Sequence, residues 1–201
     1  MISPRSDGIE GRGSAVGRIV VTEFVSLDGV FEAPGGGEDY EHAGWTFEIE
    51  QGDEGQQFKL EETRDSDALL LGRVTYEGFA AAWPSMEGEF ADKFNTMPKY
   101  VISTTLERPE WTNSTVLDGD LVEEVSKLKG SVDGNIVVHG SGQLVRALVE
   151  NDLVDEMRLM VFPVVLGSGK RLFDAGSKKR LRLVGSKTIG DGVVILTYER
   201  A

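Results

Sequence analysis

At 201 residues the chain is long enough for one α/β domain with a sizeable core and too short for two independent ones. A net charge of −13 argues against non-specific nucleic-acid binding, because a polyanion would be repelled over the whole surface. The absence of cysteine excludes a disulfide framework and a thiolate metal site. No apolar run reaches the roughly 18 residues of a membrane span, and no signal peptide is visible, so a cytoplasmic protein without membrane or nucleic-acid partners is expected.

Residues 1–15 lack any hydrophobic period and contain Ile9-Glu10-Gly11-Arg12, which matches a common engineered protease-cleavage sequence. They read as a tag or leader, and residues 16–201 as a single domain. Arg18 to Val25 is β-branched and aromatic, a buried strand. Ser26-Leu27-Asp28-Gly29 turns the chain, and Pro34-Gly35-Gly36-Gly37 opens a mobile acidic loop through Trp45 and Phe47. Glu50 to Arg64 favours a partly exposed helix. Ala68 to Leu71 is a short continuous apolar run, suited to a central strand. Val74 to Trp83 predicts a helix stopped by Pro84, and Phe90 to Met97 a shorter one.

Lys99 to Ser103 and Ser114 to Leu117 read as strands. Asp120 to Lys129 carries a capping-box pattern with Glu123, and Gly130 should end that helix. Ile136-Val137-Val138 is a buried strand that runs through Gly140-Ser141-Gly142 into an amphipathic helix. There the two glycines permit a sharp turn, and Ser141 is placed to cap the helix. Val154 to Val165 is strand-like and broken at Pro163, and Leu181 to Ile189 with Val193 to Tyr198 predicts a terminal antiparallel hairpin. Strands alternating with helices across short turns give a mixed, mostly parallel sheet covered on both faces.

In a parallel sheet the carboxyl ends of the strands share one rim, where ligands bind. Three strand ends carry phosphate-friendly residues: Gly72-Arg73-Val74-Thr75, Ser103-Thr104-Thr105, and Gly140-Ser141-Gly142. A strand, a glycine turn and a helix N-terminus point free N–H groups and the positive end of a dipole at one spot. Arg73 adds a guanidinium fork suited to phosphate. Any one of these loops is equally well a plain βα connection; together they favour a dinucleotide pocket. A Rossmann dehydrogenase fits poorly, because the third glycine of its motif would fall on Val145, far from the first strand.

The chain resembles the bacterial dihydrofolate reductase-like family that includes the C-terminal reductase domain of the bifunctional riboflavin-biosynthesis deaminase/reductase. The resemblance covers about residues 17 to 200. It is carried by Thr22-Glu-Phe-Val-Ser-Leu-Asp-Gly29, Leu70-Leu-Gly-Arg-Val-Thr-Tyr-Glu77, Val101-Ile-Ser-Thr-Thr105, His139-Gly-Ser-Gly-Gln-Leu144 and Phe162-Pro-Val-Val-Leu-Gly-Ser-Gly169. It implies a dihydrofolate reductase-like fold, NADPH as hydride donor, a small pteridine- or pyrimidine-type substrate and a homodimer. It also implies that Gly72, Arg73 and Thr75 hold cofactor phosphates, that Ser103 and Thr104 flank the 2′-phosphate, and that Gly140, Ser141, Gly142, Gln143 and Leu144 receive the pyrophosphate. A non-catalytic nucleotide- or pteridine-binding protein of the same fold is the alternative.

For the chemistry, Asp28 is the candidate to orient substrate or relay a proton, and equally a turn-forming Asp-Gly pair. The helix after the first loop offers Glu48, Glu50, Asp53 and Glu54 as acids, with no motif to choose among them. Trp45 and Phe47 are candidates for an aromatic wall, or plain packing. Gly167 and Gly169, with Lys170 and Arg171 beside them, are candidates to bind a substrate phosphate, or a loop with solvated basic residues. His42 and His139 lack partners at metal-ligand spacing, and the acidic run at 36–41 lacks a calcium pattern, so no metal is expected.

Overall fold

A computed structural model describes residues 16–173, 176 and 178–201. The leader expected at 1–15 lies outside the described residues.

One eight-stranded sheet carries the fold, in the order β4-β3-β2-β5-β1-β6-β8-β7. Its strands are β1 (Arg18–Ser26), β2 (Ser66–Gly72), β3 (Lys99–Ile102), β4 (Ser114–Leu117), β5 (Asn135–His139), β6 (Glu156–Phe162), β7 (Leu181–Ile189) and β8 (Val193–Arg200). Strands β1 to β6 are mutually parallel, and β8 and β7 add antiparallel to the β6 edge. The helices are α1 (Gly52–Arg64), α2 (Arg73–Ala82), α3 (Glu89–Thr96), α4 (Leu121–Ser131) and α5 (Gly142–Glu150). This is the dihydrofolate reductase-like arrangement expected from the sequence, mixed sheet and terminal hairpin included.

Strand alternation divides the core. Ile19, Val21 and Val25 of β1, with Ile136 and Val138 of β5, meet Val125 and Leu128 of α4 and Leu144, Val145 and Leu148 of α5. On the other face Leu69 and Leu71 pack with Tyr76, Phe94 and Trp111. Met160 and Phe162 of β6 pack there with Trp45. Leu69, Leu70 and Leu71 are fully buried, each worth roughly 2 kcal/mol in apolar transfer. That is why so short a run holds the centre of the sheet.

Three expectations are corrected. Gly130 does not end α4, which continues to Ser131 and closes at Val132; Gly130 is not in left-handed backbone, so it makes no terminating turn. Asp120 does cap that helix, accepting from the Val122 and Glu123 N–H groups at 3.0 and 3.2 Å. The first loop is packed, since Ala33 and Trp45 are both buried. Ser141 stands at the N-cap position of α5 in left-handed backbone (φ 63°) and makes no side-chain cap bond; its hydroxyl is used elsewhere, as follows.

Candidate functional site

Because β1 to β6 are parallel, Ser26, Gly72, Ile102, Leu117, His139 and Phe162 end on one rim. The β2–α2 turn and the β5–α5 turn are joined there by Ser141. Its Oγ accepts from the Gly72 N–H at 2.8 Å and donates to Thr75 Oγ1 at 2.8 Å. The two helix starts therefore lie side by side. Their spacing is too close for side chains at the turn. A Cβ at Gly72 would stand 3.0 Å from Ser141 Oγ, and one at Gly140, already at φ 61°, would stand 3.1 Å from Thr75 Cγ2. A helix leaves its first N–H groups without intrahelical partners. Those of α2 and α5 consequently face a common area, with both dipoles adding. These residues fit a doubly phosphorylated nucleotide: two glycine-lined turns, two helix N-termini, and Gln143 exposed beside them.

The other expected rim residues are placed less directly. Ser103 is buried, and its Oγ accepts from the Thr105 and Leu106 N–H groups at 3.1 and 3.0 Å, closing its own turn. Thr104 and Thr105 are exposed on that turn. Arg73 lies along α2 with both Glu77 carboxylate oxygens 3.0 Å from its guanidinium, so phosphate would have to displace an existing ion pair. Val74 is exposed, whereas the Leu144 side chain turns into the core. Phe31, which carried no signal in the sequence, covers part of the α5 start: a Cβ at Gly142 would fall 2.2 Å from its ring.

Four other candidates turn out to be structural. The Asp28 carboxylate accepts from Ser26 Oγ at 2.7 Å and from the Leu166 and Gly167 N–H groups at 3.1 and 3.0 Å. Those bonds, the Ser26 hydroxyl foremost, hold its pKa down at about 2. An acid so placed is ionised at neutral pH and spends its lone pairs on the loop. Trp45 is buried edge-on against Phe162 and donates its indole N–H to the Glu32 carbonyl, while Phe47 is 78% exposed, so the two do not share a wall. Gly167 is held by Asp28, and Gly169 lies against Tyr40 and Val30. Lys170 and Arg171 are ion-paired to Glu32 and Asp28. This second glycine loop is thus a clasp on the first loop.

A buried polar cluster, absent from the sequence reading, sits where the sheet opens. Strands β1 and β5 pair only as far as Thr22↔His139, but β1 continues beside β6 to Ser26↔Phe162. Below the opening, Glu62 of α1 is 3% exposed and accepts from Thr22 Oγ1 at 3.0 Å, from Lys59, and from Arg158 of β6 at 3.3 Å. Burial alone would raise its pKa, but the Lys59 ammonium and the Arg158 guanidinium outweigh it and keep Glu62 ionised. His139 packs against Phe79 and Phe94, and burial there keeps its imidazole neutral. Glu23 follows Thr22, past the last β1–β5 rung. It is 6% exposed, and its Oε1 has no hydrogen-bond partner among the described residues. Burial pushes its pKa up to about 8, with Glu62 adding and with Lys59 and the Gly140 N–H opposing. A charge inside the apolar run Ile19 to Val25 was the available signal; Glu62 gave none, being one of many charged and polar residues of α1.

A recess of about 710 Å³ is lined by Tyr76, Asn95, Arg108 and Trp111 among others and includes none of residues 140–144.

Comparison with known proteins places this geometry. The chain is 32% identical over 192 residues to uncharacterized protein YyaP of Bacillus subtilis (strain 168), covering 90% of this chain and 94% of that one. It is 32% identical over 179 residues to uncharacterized protein YwjB of the same organism, covering 88% and 94%. Its fold is similar to a putative riboflavin biosynthesis protein from Shewanella sp. PV-4, with a TM-score of 0.74 at 21% identity over 92% of this chain and 99% of the other. A diaminohydroxyphosphoribosylaminopyrimidine deaminase/5-amino-6-(5-phosphoribosylamino)uracil reductase from Thermotoga maritima is similar at a TM-score of 0.64 and 12% identity, over 92% of this chain and 57% of that longer one. The RibD C-terminal domain family matches residues 18–195, and the chain belongs to that family.

Proposed function

We propose that the protein is an NADPH-dependent reductase of a small pteridine- or pyrimidine-type heterocycle. The observation that supports this reading is the pairing of two helix N-termini through Ser141 at the carboxyl rim of the sheet. In it, backbone N–H groups at Arg73 to Thr75 and at Gly142 to Leu144 hold the cofactor's phosphates. Arg73, released from Glu77, and the hydroxyls of Thr104 and Thr105 take the remaining anionic oxygens. When bound, the reduced nicotinamide supplies a hydride. The chain's own task is to fix that ring and the substrate at the opening between β1 and β5 and to keep bulk water from it. The Thermotoga maritima deaminase/reductase of the same fold acts on a phosphoribosylaminopyrimidine, which supports the substrate class.

We also propose a homodimer. Strand β7 forms the sheet edge, and Leu181, Leu183 and Val184 stand 40–51% exposed along it. Such an apolar edge strand is a template for a second chain.

Titration calorimetry with NADPH and with NADH, followed by oxidation assays with dihydrofolate, dihydrobiopterin and an aminopyrimidine ribose phosphate, tests the reductase. Tighter binding of NADPH and turnover of one heterocycle are expected. Binding without oxidation of any of them would favour the non-catalytic binding protein, and failure to bind either nucleotide would sink both.

A further inference from the structure

A reduction of this kind needs a proton as well as a hydride, and the acids expected from the sequence do not supply it. Asp28 is ionised and fully engaged. Glu48, Glu50, Asp53 and Glu54 are all exposed to solvent. Glu62 is buried but locked as a carboxylate by Thr22, Lys59 and Arg158.

We propose that Glu23, standing in the opening where β1 leaves β5 and beside the Gly140 turn, is the acid that protonates the substrate. This rests on the reductase reading above. Three features converge on it. The register puts Glu23 one residue beyond the last β1–β5 rung, at the rim that carries the two helix starts. Its side chain is more than nine-tenths buried, and one carboxyl oxygen is unpartnered among the described residues. A buried polar atom left unmatched costs stability and calls for an explanation such as a missing ligand. Lastly, its environment keeps the proton on: burial raises its pKa to about 8, and neutral carboxyls held this way are suited to acid catalysis near neutral pH.

The groups around it are arranged for one proton transfer. From α1, Lys59 and Glu62 act on it with opposite sign. The Gly140 N–H of the β5–α5 turn lies near enough to its carboxyl to favour the ionised form. His139, at the end of β5, is neutral and interacts with Lys59 and Glu62. Arg158 of β6 is taken up by Glu62 and Glu156. When the carbon of a substrate C=N bond accepts hydride, its nitrogen gains an electron pair. The Glu23 O–H bond breaks and an N–H bond forms, leaving product with one new C–H and one new N–H. The resulting Glu23 carboxylate is stabilised by Lys59 and the Gly140 N–H until water returns the proton.

Infrared difference spectroscopy on the protein alone, titrated from about pH 6 to about pH 10, reads the acid directly. A protonated-carboxyl C=O band that disappears with a midpoint near 8 in the wild type, and is missing from Glu23→Gln, is expected. In assays Glu23→Gln should bind NADPH as the wild type does and lose about 10²–10⁴-fold in kcat. Glu23→Asp should recover part of it with a shifted alkaline limb. A band that persists in Glu23→Gln, or unaltered kcat in that variant while NADPH still binds, overturns the assignment and leaves the reductase reading intact. If Glu23→Gln does not fold, the wild-type titration decides: no carboxyl titrating above about pH 6 overturns the proposal. Absence of NADPH binding by the wild type overturns the reductase reading and the assignment together.

Discussion

Two carboxylates of one strand and its turn, Glu23 and Asp28, have been driven to opposite protonation states by their surroundings. Asp28 sits among donors and its pKa falls to about 2; Glu23 sits in apolar burial and its pKa rises to about 8. The difference has a stability signature. Glu23 has an unperturbed value of 4.5, so between pH 4.5 and about 8 the native state holds a proton that the unfolded state has lost. Stability from this group is therefore full below 4.5 and is lost as pH rises through about 8. The expected loss is up to about 4 kcal/mol. Denaturant unfolding of wild type and Glu23→Gln at about pH 5 and about pH 9 measures it; equal pH slopes would refute it. The subtraction also removes Lys99, whose pKa burial lowers to about 8. At the same scale, Arg73→Ala should weaken NADPH by about 1–3 kcal/mol. Glu77→Gln should tighten it, because the guanidinium is then free of its bidentate partner. Calorimetry on the two variants checks both signs.

Among the elements, α5 does the most to define the rim. Its apolar face, Leu144, Val145 and Leu148, locks it to β1 and β5, and this fixes where its free N–H groups point. Ser141 then sets α2 against it at the cost of left-handed backbone, a conformation that costs a non-glycine residue of order 1 kcal/mol. Phe31 from the first loop lies on the same helix start, so loop and helix are energetically coupled. Gly142→Ala should destabilise by roughly 1–3 kcal/mol through overpacking against that ring. Phe31→Ala should cancel much of this, giving a clear coupling energy in a double-mutant cycle. Additive effects would mean the ring moves aside freely.

In the molecule as a whole, the proposed homodimer rests on the apolar β7 edge of an acidic chain, so its interface would form by burial and not through charge. Leu183→Lys with Val184→Lys should shift the protein from dimer to monomer in sedimentation velocity while leaving nucleotide binding in place. An unchanged sedimentation coefficient would move the interface elsewhere. No helix among the described residues is long and apolar enough to cross a membrane.

Sequence alone determined the order and type of the elements, because apolar period and turn residues are local properties of the chain. The turns at Gly72 and at Gly140 to Gly142 were legible for the same reason: glycines at strand ends announce backbone geometry directly. What tertiary structure decided was the state of each polar side chain. Ser141 read as a cap and became a bridge to Gly72; of the readings the sequence left open, the fold packs Trp45 into the core and ties the Asp28 carboxylate to Ser26, Leu166 and Gly167. Glu62 meets Thr22 from 40 positions further along the chain, and Glu23, the next residue of β1, comes within its electrostatic reach only through that packing of α1 on the sheet. Protonation and pairing depend on burial and on neighbours distant in the chain, and no local pattern encodes either.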